Sequence, residues 1–247
     1  DFYYKYGGGP VLDMGPYYFT ALVNLLGPAK SVYSQSRTVY KKRIIGSGSR
    51  KDEEVIVDIP TTLVSQIEFD NGALIDSFFS FDTWKHNKNH IELYGDKGSI
   101  NIPDPNTFGG SINICTSKNG EWETIATDKN NLGKINIHNS KKTNENPGIA
   151  NYRGIGVSEM VDSINNKRLN RCSGELSLHV LDILDTIIKS SENDKKLQLR
   201  SSINEVSYFG EDEISKLLNW KEKWMKKALI VYGGWPGHEP EKCTEII

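Results

Sequence analysis

Apolar residues along the chain change their spacing twice. Over residues 17–26 they recur at helical intervals, and Gly27-Pro28 closes the run. Pro16 suits a first helical turn, where its missing N–H goes unused, so the spacing predicts a helix beginning there. Segments rich in β-formers follow at 31–40, 61–69, 74–81, 91–94, 99–102, 111–116 and 122–126, each reading as a strand. Asp70-Asn71-Gly72 reads as a tight hairpin turn, and Gly95-Asp96-Lys97-Gly98 and Lys118-Asn119-Gly120 as further turns. The charged, Gly- and Ser-containing stretch 43–54 predicts a long hairpin loop, and the Asn/Lys-rich stretch 133–147 a surface loop.

The period then lengthens again. Ile155, Met160, Val161 and Ile164 fall on one face of a predicted helix over 154–166. Ser173 is placed to cap a second helix carrying Leu176, Val180, Leu181, Leu184, Ile187 and Ile188. Residues 211–224 read as a charged amphipathic helix. One helix, many strands and two helices imply an α+β domain, a mostly antiparallel open-faced sheet with helices packed on one face. Beyond it, Ala228-Leu229-Ile230-Val231-Tyr232 ends at Gly233-Gly234 like a buried parallel strand, and 239–247 like the start of a helix. The expected organisation is a domain over 1–205, a helical linker over 206–224 and a short incomplete α/β tail over 225–247.

Composition narrows the partners. With 37% hydrophobic and 25% charged residues in 247, the chain can bury a core and does not read as disordered. A net charge of −2 gives no general attraction to nucleic acid or anionic membrane, and no apolar run reaches the ~20 residues of a membrane span. Cys115, Cys172 and Cys243 lie far apart, which argues against a disulfide framework or a metal site and for a reducing, cytoplasmic setting. An upstream targeting segment is left open.

Several residues invite chemistry, each with a plainer alternative. Asp13 is a natural helix cap. Gly7-Gly8-Gly9 permit a turn that brings backbone close to sheet or ligand. Trp84, Lys85 and His86 could line a substrate face, since sugars stack on rings and bond to polar tips, or form an exposed loop. His179 sits among apolar positions and reads as a structural, hydrogen-bonded histidine. Tyr18 reads as a core or rim aromatic. Arg153 suits a carboxylate or a neighbouring chain, or more plainly a surface ion pair.

Residues 7–28, GGGPVLDMGPYYFTALVNLLGP, resemble the start of the C-terminal domain of the Gfo/Idh/MocA family of NAD(P)-dependent sugar oxidoreductases. The strand pair around Asn71-Gly72, IELYGDKGSI at 91–100, YRGIGVSEM at 152–160 and SGELSLHVLDILDTIIKSSEND at 173–194 are similar to that family in the same order. The resemblance implies a substrate-side half whose Gly-rich nucleotide turn and acid/base Lys-Pro motif lie outside this chain. NAD or NADP would serve the complete enzyme, with neither expected on this chain alone.

In the family an Asp and a His stand four residues apart at the head of this helix. Asp13 matches the Asp, Tyr17 occupies the His position, and Thr20 stands where a further Asp often lies. A phenol, with an ordinary pKa near ~10, is a weak base at neutral pH unless a cation lowers it. The implied site therefore has Asp13 and Tyr17 as catalytic candidates, with Gly8, Gly9, Thr20, Trp84 and His86 binding a sugar, polyol or inositol-type substrate. Homo-oligomerisation through the sheet is also implied. The alternative is a non-catalytic sugar-binding or assembly module that keeps the fold. Residues 225–247 resemble the start of a ThuA-like domain, with His238 of GGWPGH facing a ligand, either as a true fusion or through a gene boundary misplaced at Met225.

Overall fold

A computed structural model describes residues 2–116, 120–137, 149–204 and 207–218. The proposed tail at 225–247, Cys243 and most of the 133–147 loop lie outside the described residues. The chain divides into two units, one of residues 1–87 with 172–207, the other of 88–171 with 208–247.

In the first unit, α1 (Pro10–Leu26) opens at Pro10, whose missing N–H costs nothing at the head of a helix. It starts six residues earlier than the Pro16 signal implied. Pro16 lies inside α1 and withholds one backbone bond from the carbonyl of Leu12. Burial of Val11 and Gly15 on the inner side offsets that loss, and Gly27, with a φ of 85°, ends the helix by donating its N–H to Val23.

Three long strands follow: β1 (Ala29–Arg37), β4 (Thr62–Phe69) and β5 (Leu74–Ser80). Between β1 and β4, β2 (Lys42–Ile44) pairs antiparallel with β3 (Glu54–Ile56), flanking the charged loop as a separate hairpin. The β4–β5 turn has Gly72 at φ 88°, as the Asn-Gly pair requires. After α3 (Gly174–Asn193), β10 (Leu197–Gln198) joins the edge, giving the antiparallel order β10-β1-β4-β5.

Alternation sorts this sheet into two faces. Val32, Leu63 and Ile67 are buried on the side where α1 and α3 pack, and Ser34 stands opposite Ser65 on the same face. The other face is open: Gln35, Val64 and Phe78 form one cross-strand row, with Val64 and Phe78 exposed. The α+β class, antiparallel pairing and one-sided helices agree with the sequence pattern.

Ser173 accepts the Leu176 N–H at 3.1 Å and so caps α3 as its residue type predicts. Leu176, Val180, Leu184 and Ile187 are buried as expected. Leu181 instead faces solvent, and Ile183 takes its place in the core.

The second unit holds an antiparallel meander of β6 (Ile91–Gly95), β7 (Gly98–Ile102), β8 (Ile112–Thr116) and β9 (Trp122–Ile125), with α2 (Ile155–Asn165) and α4 (Glu211–Leu218). Here one expectation fails. Met160 and Ile164 are exposed, while α2 buries Ser158, Glu159 and Ser163. Glu159 decides the orientation, because its carboxylate is gripped by Arg168 at 2.6 Å and Arg171 at 3.0 Å. Arg171 also reaches Glu213 of α4 at 2.8 Å, and its guanidinium lies 4.5 Å from the Phe209 ring centre. No helix among the described residues is long and apolar enough to cross a membrane.

Candidate functional site

Helix α1 has two distinct long faces. Its inner stripe, Val11, Gly15, Phe19 and Leu22, packs inward, and a Cβ on Gly15 would stand only 2.5 Å from Leu184 Cδ2. At 3.6 residues per turn, Asp13, Tyr17, Thr20 and Asn24 fall together on the opposite side. All four are half-buried. The Asn24 amide donates to the Thr20 carbonyl at 2.6 Å, fixing the lower end of this stripe.

Asp13 does not cap the helix. Gly9 holds the cap position, and the Asp13 N–H already donates to the Gly9 carbonyl at 3.0 Å. Among the described residues its carboxylate has no hydrogen-bond or ion-pair partner. Burial raises its pKa above the ordinary aspartate value, since desolvation penalises the charged form. A carboxylate that the fold leaves unused, with heightened proton affinity, is suited to accept a proton or hold a hydroxyl.

The glycines ahead of α1 serve the backbone. Gly9 N–H donates to the Tyr3 carbonyl and Gly8 N–H to the Lys5 carbonyl, both at 2.8 Å. A Cβ on Gly8 would lie 2.3 Å from the Phe2 carbonyl oxygen, and Gly9 has a φ of 99°. Only glycine fits this turn against the short 3-10 segment Phe2–Tyr4. This geometry does not fit a dinucleotide cradle. A 3-10 turn rather than a strand precedes the glycines, the Gly9 N–H is occupied, and every strand pair among the described residues is antiparallel.

Trp84 and His86 lie on the irregular segment after β5, Trp84 fully exposed and His86 exposed. Among the described residues no hydrogen bond, ion pair or ring contact joins them to Asp13, Tyr17 or Thr20. Tyr18 packs edge-on against Phe79, with ring centres 5.9 Å apart, in keeping with a rim aromatic. Among the described residues Arg153 makes no ion pair; its guanidinium donates to the Asn106 carbonyl at 3.0 Å. A cavity of about 580 Å³ in the second unit, lined by Asn106, Phe108, Ile135 and Arg153 among others, contains none of Asp13, Tyr17, Thr20, Trp84 or His86. Among the described residues no group of three His, Cys, Asp or Glu is arranged to hold a metal ion.

Sequence reading missed an aromatic group beside the head of α1. Tyr3 and Tyr4 both meet Phe81 edge-on, at 6.5 and 5.8 Å, and Arg43 lies 4.9 Å from the Tyr40 ring centre and 5.8 Å from that of Tyr4. Asp82 pairs with Arg43 and accepts the hydroxyls of Thr61 and Thr62 at 2.6 and 2.7 Å. The run Phe2-Tyr3-Tyr4 was the available signal.

Comparison with known proteins agrees with this architecture. Residues 1–101 match the family model described as the GFO/IDH/MocA C-terminal domain. No curated protein matches the chain. Among solved structures, levoglucosan dehydrogenase in complex with NADH and levoglucosan aligns with a TM-score of 0.59 at 16% identity, covering 81% of this chain and 54% of that one. An NAD binding oxidoreductase from Klebsiella pneumoniae aligns at 0.59 and 18% identity, covering 79% and 52%. An oxidoreductase domain protein from Kribbella flavida aligns at 0.60 and 18%, covering 81% and 55%. The chain spans about half the length of each of these structures. It shares their fold, and its first 101 residues are similar to the GFO/IDH/MocA C-terminal domain.

Proposed function

We propose that this chain is the substrate-binding portion of an NAD(P)-dependent oxidoreductase acting on a CH–OH group of a sugar, polyol or inositol-type compound. The observation that carries this reading is the outer face of α1, where the unpartnered Asp13 carboxylate aligns with Tyr17 and Thr20. Three oxygen-bearing side chains on one face match a ligand made of adjacent hydroxyls. Asp13 takes the hydroxyl proton, its raised pKa making it a better base than an ordinary aspartate. Tyr17 and Thr20 orient neighbouring hydroxyls, and Trp84 and His86 extend the binding surface. NAD or NADP is held by residues other than those described, with Gly8 and Gly9 bringing backbone near the substrate. The complete protein works as a homo-oligomer that uses the open sheet face.

A second reading, a non-catalytic sugar-binding or assembly module, is favoured only by the phenol of Tyr17, which is a weaker base than an imidazole. One assay separates the two. Protein from the complete gene is incubated with NAD⁺ or NADP⁺ and a panel of sugars and polyols, and formation of the reduced nucleotide is followed. Reduction with at least one panel member supports the enzyme. Sugar binding without reduction under either nucleotide supports the module.

A further inference from the structure

Segments 106–111, 126–128, 133–135 and 149–153 of the second unit surround the cavity of about 580 Å³. That volume falls within the roughly 300–1,000 Å³ of small-molecule sites. The segments are tied to one another. The Thr127 hydroxyl donates to the Gly110 carbonyl at 2.6 Å, and the Tyr152 hydroxyl to the Lys134 carbonyl at 2.8 Å. Phe108 bridges to Ala150, and its ring meets Tyr152 edge-on at 5.8 Å. A Cβ on Gly133 would stand 2.0 Å from the Thr127 carbonyl oxygen, so only glycine lets these two backbones touch. The space is therefore formed in advance, and a ligand is spared the cost of ordering its walls.

The lining divides into an apolar part and two opposite charges. Phe108, Ile135 and Ile149 present carbon to the cavity, and the two isoleucines keep 40% and 51% of their surface exposed. Asp128 and Arg153 line the same cavity, yet among the described residues neither makes an ion pair. The Arg153 guanidinium is anchored through Nη2 alone, which donates to the Asn106 carbonyl at 3.0 Å and to the Asn106 side-chain oxygen at 3.4 Å. Its Nε and Nη1 have no partner among the described residues and remain available to a carboxylate. The Asp128 carboxylate likewise has no hydrogen-bond partner there, and its chemistry suits an ammonium.

We propose that this cavity binds a free amino acid with an apolar side chain, its carboxylate on Arg153, its ammonium on Asp128 and its side chain against Phe108, Ile135 and Ile149. A carboxylic acid without the ammonium sets an anion near an unmatched Asp128, and an amine leaves Arg153 unmatched. An uncharged sugar matches neither. The site uses no residue of the Asp13 face.

The full chain is titrated calorimetrically with leucine, with isocaproate, which is leucine without its ammonium, and with isoamylamine, which is leucine without its carboxylate. Leucine should bind, and both fragments should bind at least about tenfold more weakly. Arg153→Gln and Asp128→Asn, their folds verified by circular dichroism, should each weaken leucine by about tenfold, while Asp128→Asn should hold isocaproate no worse than wild type does. Absence of leucine binding to the wild type overturns the site. Isocaproate bound as tightly as leucine overturns the amino-acid class, and a leucine affinity unchanged in both variants overturns the assignment to this cavity.

Discussion

The Nε2 of His179 accepts the backbone N–H of Ala29 at 2.9 Å, joining α3 to the first residue of β1. Its other ring nitrogen lies 3.0 Å from the Ser201 hydroxyl, which in turn donates to Asp182 at 2.9 Å. That order assigns the ring proton to Nδ1 and leaves the imidazole neutral. Burial lowers the His179 pKa, with Asp182 opposing the shift less strongly.

A pH dependence follows from that depressed value. Below about pH 6.5 the unfolded chain binds a proton that the folded His179 refuses, so stability is complete above this pH and declines as pH falls toward the folded pKa. Unfolding free energies from urea titrations between about pH 5 and 7 should fall with acidity, at up to about 1.4 kcal/mol per pH unit. In His179→Gln the slope in this window should flatten. An unchanged slope would show that His179 does not carry the effect.

The buried Glu159 is the second weak point. Burial pushes its carboxyl up, but the bonds from Arg168 and the Arg171 backbone outweigh it and hold the pKa below the usual glutamate value. Glu159→Gln leaves two arginines without their shared charge, and should cost the second unit about 3–5 kcal/mol. Equilibrium urea unfolding measures this. A loss below about 1 kcal/mol would assign the cluster no structural role.

Gly15 controls how closely α1 approaches α3. With Leu184 Cδ2 2.5 Å from a hypothetical Cβ, Gly15→Val should destabilise by about 1–3 kcal/mol despite removing a helix-weakening glycine. Adding Leu184→Ala to Gly15→Val should cost less than Leu184→Ala costs alone, because the valine fills part of the space the leucine vacates. A double-mutant cycle reads the coupling directly.

Tyr17→Phe removes one hydroxyl from the outer face of α1 and leaves the ring. In the complete enzyme this should lower kcat/KM by about tenfold, with thermal stability unchanged. Unaltered kinetics would take Tyr17 out of the site.

Much of this was legible in one sequence, for reasons visible in particular residues. Asn71-Gly72 demands a hairpin and obtains one, and Ser173 caps α3 through its own hydroxyl. Local chemistry of this kind does not depend on distant partners. The errors fall where it does. Pro16 looks like a helix start, yet packing of Val11 and Gly15 carries α1 back to Pro10. The apolar residues of α2 suggested an inward stripe, but the arginines at 168 and 171 turn Glu159 inward instead. The choice of Asp13, Tyr17 and Thr20 followed from the family resemblance, and the earlier start of α1 then sets all three on one face. The grouping of Tyr3, Tyr4 and Tyr40 did not follow from the sequence, because Arg43 and Phe81, distant along the chain, assemble it.

The central claim, that Asp13 accepts the substrate proton, is tested most directly by the pH–rate profile of the complete enzyme with and without that carboxylate. The wild type should lose kcat/KM toward acid with an apparent pKa above the usual aspartate value, in line with the burial of Asp13. Asp13→Asn should lower kcat/KM by about a hundredfold or more and abolish that acid limb. An Asp13→Asn enzyme that keeps wild-type turnover and the same acid limb would contradict it.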